Sequence, residues 1–365
     1  LVTDPLALAA TRIVVRGGSV LAGSLPYLCA WQLPPVSPNL FFWNPLLARA
    51  AEDGIEVMLG GEGGDELFSF SPALLGDRVR RGRLLSALKL NRRIHGAAGD
   101  PSWRSILRLM QAFGLKAVVP YRAHRAIRRL RGPDSYSPPW LRPETARAFF
   151  DTHDPAAWKR APGPLWWRWL VNATVRGRAP RLAYDHVRRR AASFGIETRQ
   201  PLVDVDVIEL VLRLPPEHAF DPRHSRPLLR ESVAGVLPDE LRLRPVKSHF
   251  DSVFHEAFAG TDLSALRALL GSDRAEVGAY VDLPTLRREL LDPPPPPAAH
   301  GRQRWALNLW RLATAECWLR SQDDPLVPER LAGELGLAEA DFELQTGRPP
   351  ARERPATDRT GAAGA

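Results

Sequence analysis

Two acids set among glycines are the residues of this chain best placed to do chemistry. In the stretch Leu59-Gly60-Gly61-Glu62-Gly63-Gly64-Asp65-Glu66-Leu67-Phe68, the glycines leave the backbone bare around Glu62 and just before Asp65. Glycine reaches positive φ and lets a ligand approach the main chain closely. A helix start offers unpaired N–H groups and suits an anion such as phosphate. Carboxylates inside such a cradle make sense if a divalent cation bridges them to phosphate, or if one of them accepts a proton. A glycine-rich turn ahead of an Asp-Glu helix start is the alternative that the residues alone leave open.

The loop needs a strand before it and a helix after it. The apolar run Ile55 to Leu59 reads as a short buried strand. Upstream, Asn44 caps a predicted helix with Pro45 at its first position, and Gly54 stops it. Helix, glycine and buried strand together predict half of a βαβ unit in a parallel sheet. Beyond the loop, helical patterning covers Asp77 to Ile94, Ser105 to Val118 and Tyr121 to Leu130. The basic run Arg122 to Arg131 has the composition of a nucleic-acid contact, but a solvated helix face explains its spacing equally well. Nucleic acid is not expected as a partner. The tryptophans between Trp140 and Trp169 are assigned to a helical core.

A helix is predicted from about Leu165 towards Ser193, broken by the segment Phe194 to Asp204. Asp206-Val207-Ile208-Glu209 reads as a capping box, and Ser225 ahead of Arg226-Pro227 as a further helix start. Pro293 to Pro297 predicts a stiff spacer, Gly301 to Arg320 a strong helix, and the residues from about Gly347 a disordered tail.

The chain has 365 residues, 44% hydrophobic and 25% charged, a globular balance with a net charge of +9. That excess favours polyanions in general, although a bias towards Ala, Pro and Arg contributes to it. Cys29 and Cys317 are the only cysteines and make neither a disulfide framework nor a zinc site, so a cytoplasmic setting is expected. No apolar run reaches the roughly 18 residues of a membrane span, so no membrane partner is expected.

Three segments stand out in order: Gly61 to Phe68, then Ile196-Glu197-Thr198-Arg199-Gln200-Pro201-Leu202-Val203-Asp204, then Lys247 to Phe250. Together they resemble the C-terminal synthetase domain of the asparagine synthase (glutamine-hydrolysing) family, and the Trp-rich helix Trp305 to Trp318 is similar to the end of many members. The resemblance runs from roughly Ser37 to Arg320. It implies an α/β fold of the adenine nucleotide α-hydrolase kind: a parallel sheet flanked by helices, with a large additional helical portion. The domain spans residues 1 to 325, and residues 326 to 365 form an extension. The implied cofactors are ATP and Mg²⁺. The implied chemistry activates a small-molecule or peptide carboxylate as an acyl-adenylate, releasing pyrophosphate. The amine that follows is ammonia from glutamine or an internal amine, as in β-lactam synthetases and lasso-peptide macrolactam cyclases.

On this resemblance Gly60, Gly61, Gly63 and Gly64 line the ATP and pyrophosphate site, with Gly60 and Gly61 offering backbone donors. Asp65 holds Mg²⁺. Glu62 takes a proton from the attacking amine, and Lys247 neutralises charge on phosphate and acyl oxygens. Glu197 and Arg199 either contact substrate or form a structural ion pair, and Asp204 is either part of that loop or a cap.

The family's Ser-Gly-Gly-x-Asp-Ser loop does not occur; Arg16-Gly17-Gly18-Ser19-Val20 lacks its Asp and its order and reads as a turn. The expectation is an N-terminally truncated synthetase domain, with that loop upstream or in a partner subunit. A non-catalytic binding or scaffold protein is the competing class. The long Arg-rich helices after Phe68 and the Trp-rich insert suit a larger, peptide-like substrate.

Overall fold

A computed structural model describes residues 10–38, 43–97, 102–133, 137–244, 251–292, 294–296, 301–337 and 341–347. The chain starts with β1 (Ala10–Gly17), then α1 (Leu25–Trp31), α2 (Asn44–Glu52), β2 (Val57–Leu59), α3 (Gly64–Phe68), α4 (Leu74–Arg80) and α5 (Leu84–Ala97). It continues through α6 (Trp103–Leu109), α7 (Tyr121–Arg131), α8 (Pro143–Thr152), α9 (Leu165–Val171), α10 (Arg178–Ala192) and β3 (Glu197–Arg199). The last part holds α11 (Val205–Arg213), α12 (Pro227–Ser232), α13 (Asp251–Ala259), α14 (Leu263–Gly271), α15 (Arg302–Arg320), α16 (Val327–Glu334) and β4 (Asp341–Gly347). The fold is mostly helical around a small parallel sheet, compatible with the expected α/β class. Among the described residues no helix is long and apolar enough to cross a membrane.

The parallel sheet is β2 beside β3, with Val57 opposite Glu197, Met58 opposite Thr198 and Leu59 opposite Arg199. The same local device delivers both strands. Helix α2 ends in Ala50-Ala51-Glu52-Asp53-Gly54-Ile55, and α10 ends in Ala191-Ala192-Ser193-Phe194-Gly195-Ile196. In each, the glycine takes positive φ, +71° at Gly54 and +74° at Gly195. The isoleucine N–H donates back to the first alanine carbonyl, Ile55 to Ala50 at 2.9 Å and Ile196 to Ala191 at 3.0 Å. This is the Schellman termination, which satisfies the last helix carbonyls and turns the chain sharply. Leu47, Ala50, Ala191 and Ile196 then pack together beneath Met58.

Strand β2 is not buried as expected. Leu59 is 70% exposed, and Val57 and Ile55 are exposed too. The reason is that β2 pairs with β3 alone among the described strands, so one edge and one face lack a neighbour. The other sheet, β1 with β4, is antiparallel, with a register shift between Val15 and Gly17.

The largest core cluster centres on α15, whose Leu309, Trp310 and Ala313 pack with Phe258, Leu266 and Leu286. Leu331 of α16 belongs to the same cluster. A second cluster joins Leu74 and Leu75 to Leu90, Trp166 and Leu170. Trp140 and Trp166 are buried, in line with the core reading. Trp158 meets Trp169 edge-on, ring centroids 5.4 Å apart.

Three buried acids cap segments far away in sequence. Asp77 accepts from the N–H groups of Leu165 and Trp166, both at 3.0 Å, at the start of α9. Asp262 accepts from Val20 at 3.0 Å and Leu21 at 3.1 Å. Glu316 accepts from Glu276 at 3.1 Å and Val277 at 2.8 Å. Each carboxylate satisfies backbone donors, at a helix start or a turn, that the fold has taken out of water.

Local boundaries differ from expectation for steric reasons. The helix predicted from Leu165 to Ser193 is two helices, with a wide turn at Asn172–Arg176 and extended backbone at Gly177. The Pro180 ring would clash with the carbonyl four residues back in a continuous helix. The capping side chain of α11 is Asp204, accepting from the Asp206 N–H at 2.9 Å, rather than Asp206. Asn44 is the first residue of α2 rather than its cap, and its side-chain oxygen accepts from the Tyr27 hydroxyl. The helix expected at Ser225 begins at Pro227 and ends at Ser232, with Arg226 before it. The tail expected to be disordered lies, beyond Gly347, outside the described residues, as do Pro293 and Pro297 at the two ends of the proline run.

Candidate active site

The glycine loop leaves the carboxyl end of β2, and the segment Gln200 to Asp204 leaves the same end of β3. The Gly60 N–H donates to the Arg199 carbonyl at 2.8 Å and extends the ladder by one bond. Gln200 Oε1 accepts from the Glu62 N–H at 3.2 Å and ties the loop to the second strand. A β-carbon on Gly60 would lie 2.2 Å from Gln200 Oε1, and one on Gly63 2.2 Å from Val203 Cγ1. Gly63 also sits at φ +88°. Gly64 faces Leu202 at 3.2 Å, while nothing lies within 4 Å of a β-carbon on Gly61.

The four glycines therefore divide by task. Gly60, Gly63 and Gly64 make room for the neighbouring segment, and Gly61 faces open space. Because the Gly60 N–H is used in the ladder, only Gly61 of the two expected donors keeps its N–H available. The Gly61 N–H is exposed and donates to no protein group among the described residues. Helix α3 has only five residues, so these individual N–H groups, rather than a long helix dipole, carry any affinity for an anion.

Beside the loop lies a cavity of about 260 Å³, walled by Trp43 and Leu47, by Leu59 to Glu62, by Thr198 and Gln200, and by the His186 and Arg190 face of α10. Arg190 is buried with its guanidinium 5.6 Å above the Trp43 ring. Buried His186 accepts the Val36 N–H on Nδ1 at 3.3 Å, which pins the loop forming another wall. Burial lowers its pKa and favours the neutral ring, with the proton on Nε2.

The electrostatics centre on Glu62. Its carboxyl is pushed above the usual range, first by burial, then by Glu66, with Arg190 opposing and Asp65 adding. Tyr184, whose hydroxyl donates to the Thr174 carbonyl at 2.8 Å, is pushed up to about 12 by burial and then by Glu66 and Glu62. A carboxylate with raised basicity in a half-buried cleft is suited to accept a proton.

The raised Glu62 pKa has a stability consequence. Burial favours the protonated form, so the contribution of this group is most favourable at acid pH and is lost as pH rises through its folded pKa. Glu62→Gln removes that loss. At pH 7 the variant should melt above the parent chain, and the gap should close on acidification. Thermal scans at both ends of that range check this; equal melting throughout would contradict it.

Asp65, at the start of α3, is half exposed and ion-paired to Arg226 Nη1 at 3.2 Å. Arg226 sits at φ +56°, in the left-handed region that non-glycine residues rarely occupy. Such strain concentrates at functional sites. The donor chemistry fits a magnesium ion: Asp65 is a hard oxygen ligand, and Mg²⁺ typically takes one or two carboxylates and keeps several waters. Among the described residues no group of three or more His, Cys, Asp or Glu side chains gathers into a ready-made metal cage.

Glu197 and Arg199 form an exposed ion pair at 2.8 Å on β3, the structural alternative raised for them. Asp204 caps α11. Lys247 lies outside the described residues, so its placement is not part of this geometry. Arg190, His186, Gln200 and Arg226 join the site without having been singled out from sequence. Only the spacing of His186 and Arg190, four apart on one helix face, hinted at a shared direction.

The asparagine synthase family model matches residues 2–320, most of the chain. No curated protein matches it.

Proposed function

This chain belongs to the asparagine synthase family, and on that premise we propose that it is the synthetase part of an ATP-dependent amide-forming ligase. The observation that carries the reading is the placement of the glycine loop. It puts Glu62, Asp65 and the free Gly61 N–H at the carboxyl end of a parallel strand, beside a cavity. Ligands of open α/β sheets bind at that end of the strands.

In this reading ATP occupies the cavity, and the fold is of the adenine nucleotide α-hydrolase kind. The substrate carboxylate oxygen attacks the α-phosphorus; the bond to pyrophosphate breaks, and an acyl-adenylate forms. An amine nitrogen then attacks the acyl carbon, loses a proton, and AMP leaves with its electron pair. Gly61 donates to a phosphate oxygen. Glu62, raised in pKa, accepts the amine proton. Lys247 neutralises developing charge. Asp65 would hold Mg²⁺, which supplies charge neutralisation on pyrophosphate, and Arg226 is the cation that faces that carboxylate in the chain itself.

Among the described residues β2 pairs with β3 alone, which supports a larger sheet. Parallel sheets are ordinarily covered on both faces, and an exposed Leu59 on a strand edge is the kind of surface another strand covers. In this reading the pyrophosphate-binding Ser-Gly-Gly-x-Asp-Ser loop of the family would stand beside that edge.

The substrate is proposed to be a peptide carboxylate closed onto an internal amine, as in a macrolactam cyclase. The support is bulk: α4 to α9 add a large helical portion directly after the loop. The test incubates the complete protein with ATP, Mg²⁺, aspartate and ammonia. Little asparagine is expected, with pyrophosphate release rising only when a peptide bearing both groups is added. Robust asparagine formation would remove the peptide reading and leave a small-molecule ligase. A scaffold without catalysis would give no pyrophosphate under any condition.

A further inference from the structure

We propose that the exposed arginine face of α7, with the pocket beside it, docks an acidic segment of the peptide on which the ligase acts. The identity of that peptide as a substrate rests on the ligase reading; the docking itself rests on α7.

Helix α7 is held to the protein at two points. Arg128, the only buried residue of the helix, donates to the carbonyls of Phe150 and, at 2.7 Å, of His153, with its guanidinium 3.6 Å above the Phe150 ring. The Tyr121 hydroxyl donates to Asp154 Oδ2 at 2.7 Å. Apart from these and half-buried His124, the residues of the helix are exposed. Leu130 is 88% exposed and Ile127 44%. Arg122, Arg125 and Arg129 are exposed and form no ion pair among the described residues.

A pocket of about 280 Å³ opens beside them, where Arg125 and Arg129 meet Arg160. The Arg160 guanidinium lies 5.7 Å from the centre of the Tyr121 ring. Guanidinium groups pair with carboxylates through two parallel hydrogen bonds, so three around one pocket select for an acidic side chain.

The mixture of groups favours a peptide over nucleic acid. Asp151 and Asp154 share the pocket wall and confine the positive charge to the arginine side, so the pocket suits one or two separate carboxylates rather than a continuous line of phosphates. Ile127 and Leu130 lie on the same helix as the arginines and offer nothing to a phosphate backbone, the main contact of sequence-independent nucleic-acid binding. They do offer a place for apolar side chains between acidic ones, and arginine beside apolar groups is a composition typical of protein interfaces. The helix is about 16 Å long, which about five residues of extended peptide cover.

The experiment is fluorescence anisotropy on the full chain without ATP. The probe is a fluorescein-labelled peptide of about ten residues, rich in Glu with interspersed Leu, long enough to cover the helix. The parent chain should bind it and should not bind the Gln-for-Glu version. Arg125→Glu with Arg129→Glu should weaken binding by about tenfold or more. Leu130→Asp should weaken it as well, and Arg213→Glu, on α11, should leave it unchanged. Circular dichroism confirms that each variant is folded.

Failure of the parent chain to bind, or unchanged binding by the double variant, would overturn the proposal. So would tighter binding of polyuridine RNA that the double variant abolishes, which would assign this face to nucleic acid. Because no turnover is involved, an inactive ligase that still binds the acidic peptide would refute the catalytic reading and leave the docking face standing.

Discussion

Glu62→Gln should lower amide formation by about 10²- to 10⁴-fold, the span of a lost general base. The substitution keeps size and hydrogen bonding but removes the proton acceptor beside the cavity. Its effect should fall on the amine-dependent half of the reaction, so ATP–pyrophosphate exchange should survive. Asp65→Asn should do the reverse. It removes the charge proposed to hold magnesium, so exchange itself should collapse and should not recover at neutral pH with ordinary magnesium. The pH profile separates the two further. A Glu62 raised by burial and by Glu66 sets an acid limb above the usual carboxylate range, and that limb should vanish in the glutamine variant. If both variants retained full pyrophosphate release and amide formation, the enzyme reading of this loop would be sunk.

The largest structural effect should come from Glu316→Ala, at about 3 to 5 kcal/mol of lost stability, the cost of breaking a buried pair. Glu316 is 0% exposed. Its carboxylate caps the turn at Glu276–Ala279 through two N–H groups and accepts from Arg320 Nε at 2.7 Å. Removing it leaves those two donors, one of them fully buried, without a partner inside the cluster around Trp310 and adds a cavity at the same place. Urea unfolding of the parent and variant measures the difference. Glu316→Gln, which keeps an acceptor oxygen, should cost clearly less. An alanine variant as stable as the parent would mean that the buried donors find water or another partner.

The two predictions depend on different kinds of legibility. The glycine loop could be read from sequence because its chemistry is local: bare backbone, two acids, a strand before and a helix after. Gly54 as a helix stop was readable for the same reason, since a positive φ at a helix end is a nearest-neighbour steric matter. The second copy of that device at Gly195 carried the same Ala-Ala-x-x-Gly-Ile signature. The helix Arg302–Arg320 was legible through its long run of core residues at helical spacing.

The burial of β2 was misjudged because an apolar run states only that a strand is suited to burial. Whether it is covered depends on which strands lie beside it, and β2 has a single neighbour among the described residues. The donor role expected of Gly60 fails because a ladder bond to the Arg199 carbonyl has already taken that N–H. No pattern in the loop itself contains that information.

By itself the sequence determined the local pieces of this protein: the loop, its flanking elements, the order of the three segments that resemble the asparagine synthase family, and the long helix Arg302–Arg320. These follow from backbone sterics and periodicity, which act over a few residues. Only the tertiary structure decided which residues meet. Asp77 caps a helix 88 residues away, and Asp262 a turn 242 residues away. Gln200 locks the Glu62 loop from 138 residues away, and Arg226 faces Asp65 across the site. Such pairings are set by how helices and strands pack in space, and a one-dimensional pattern carries no term for the distance between them.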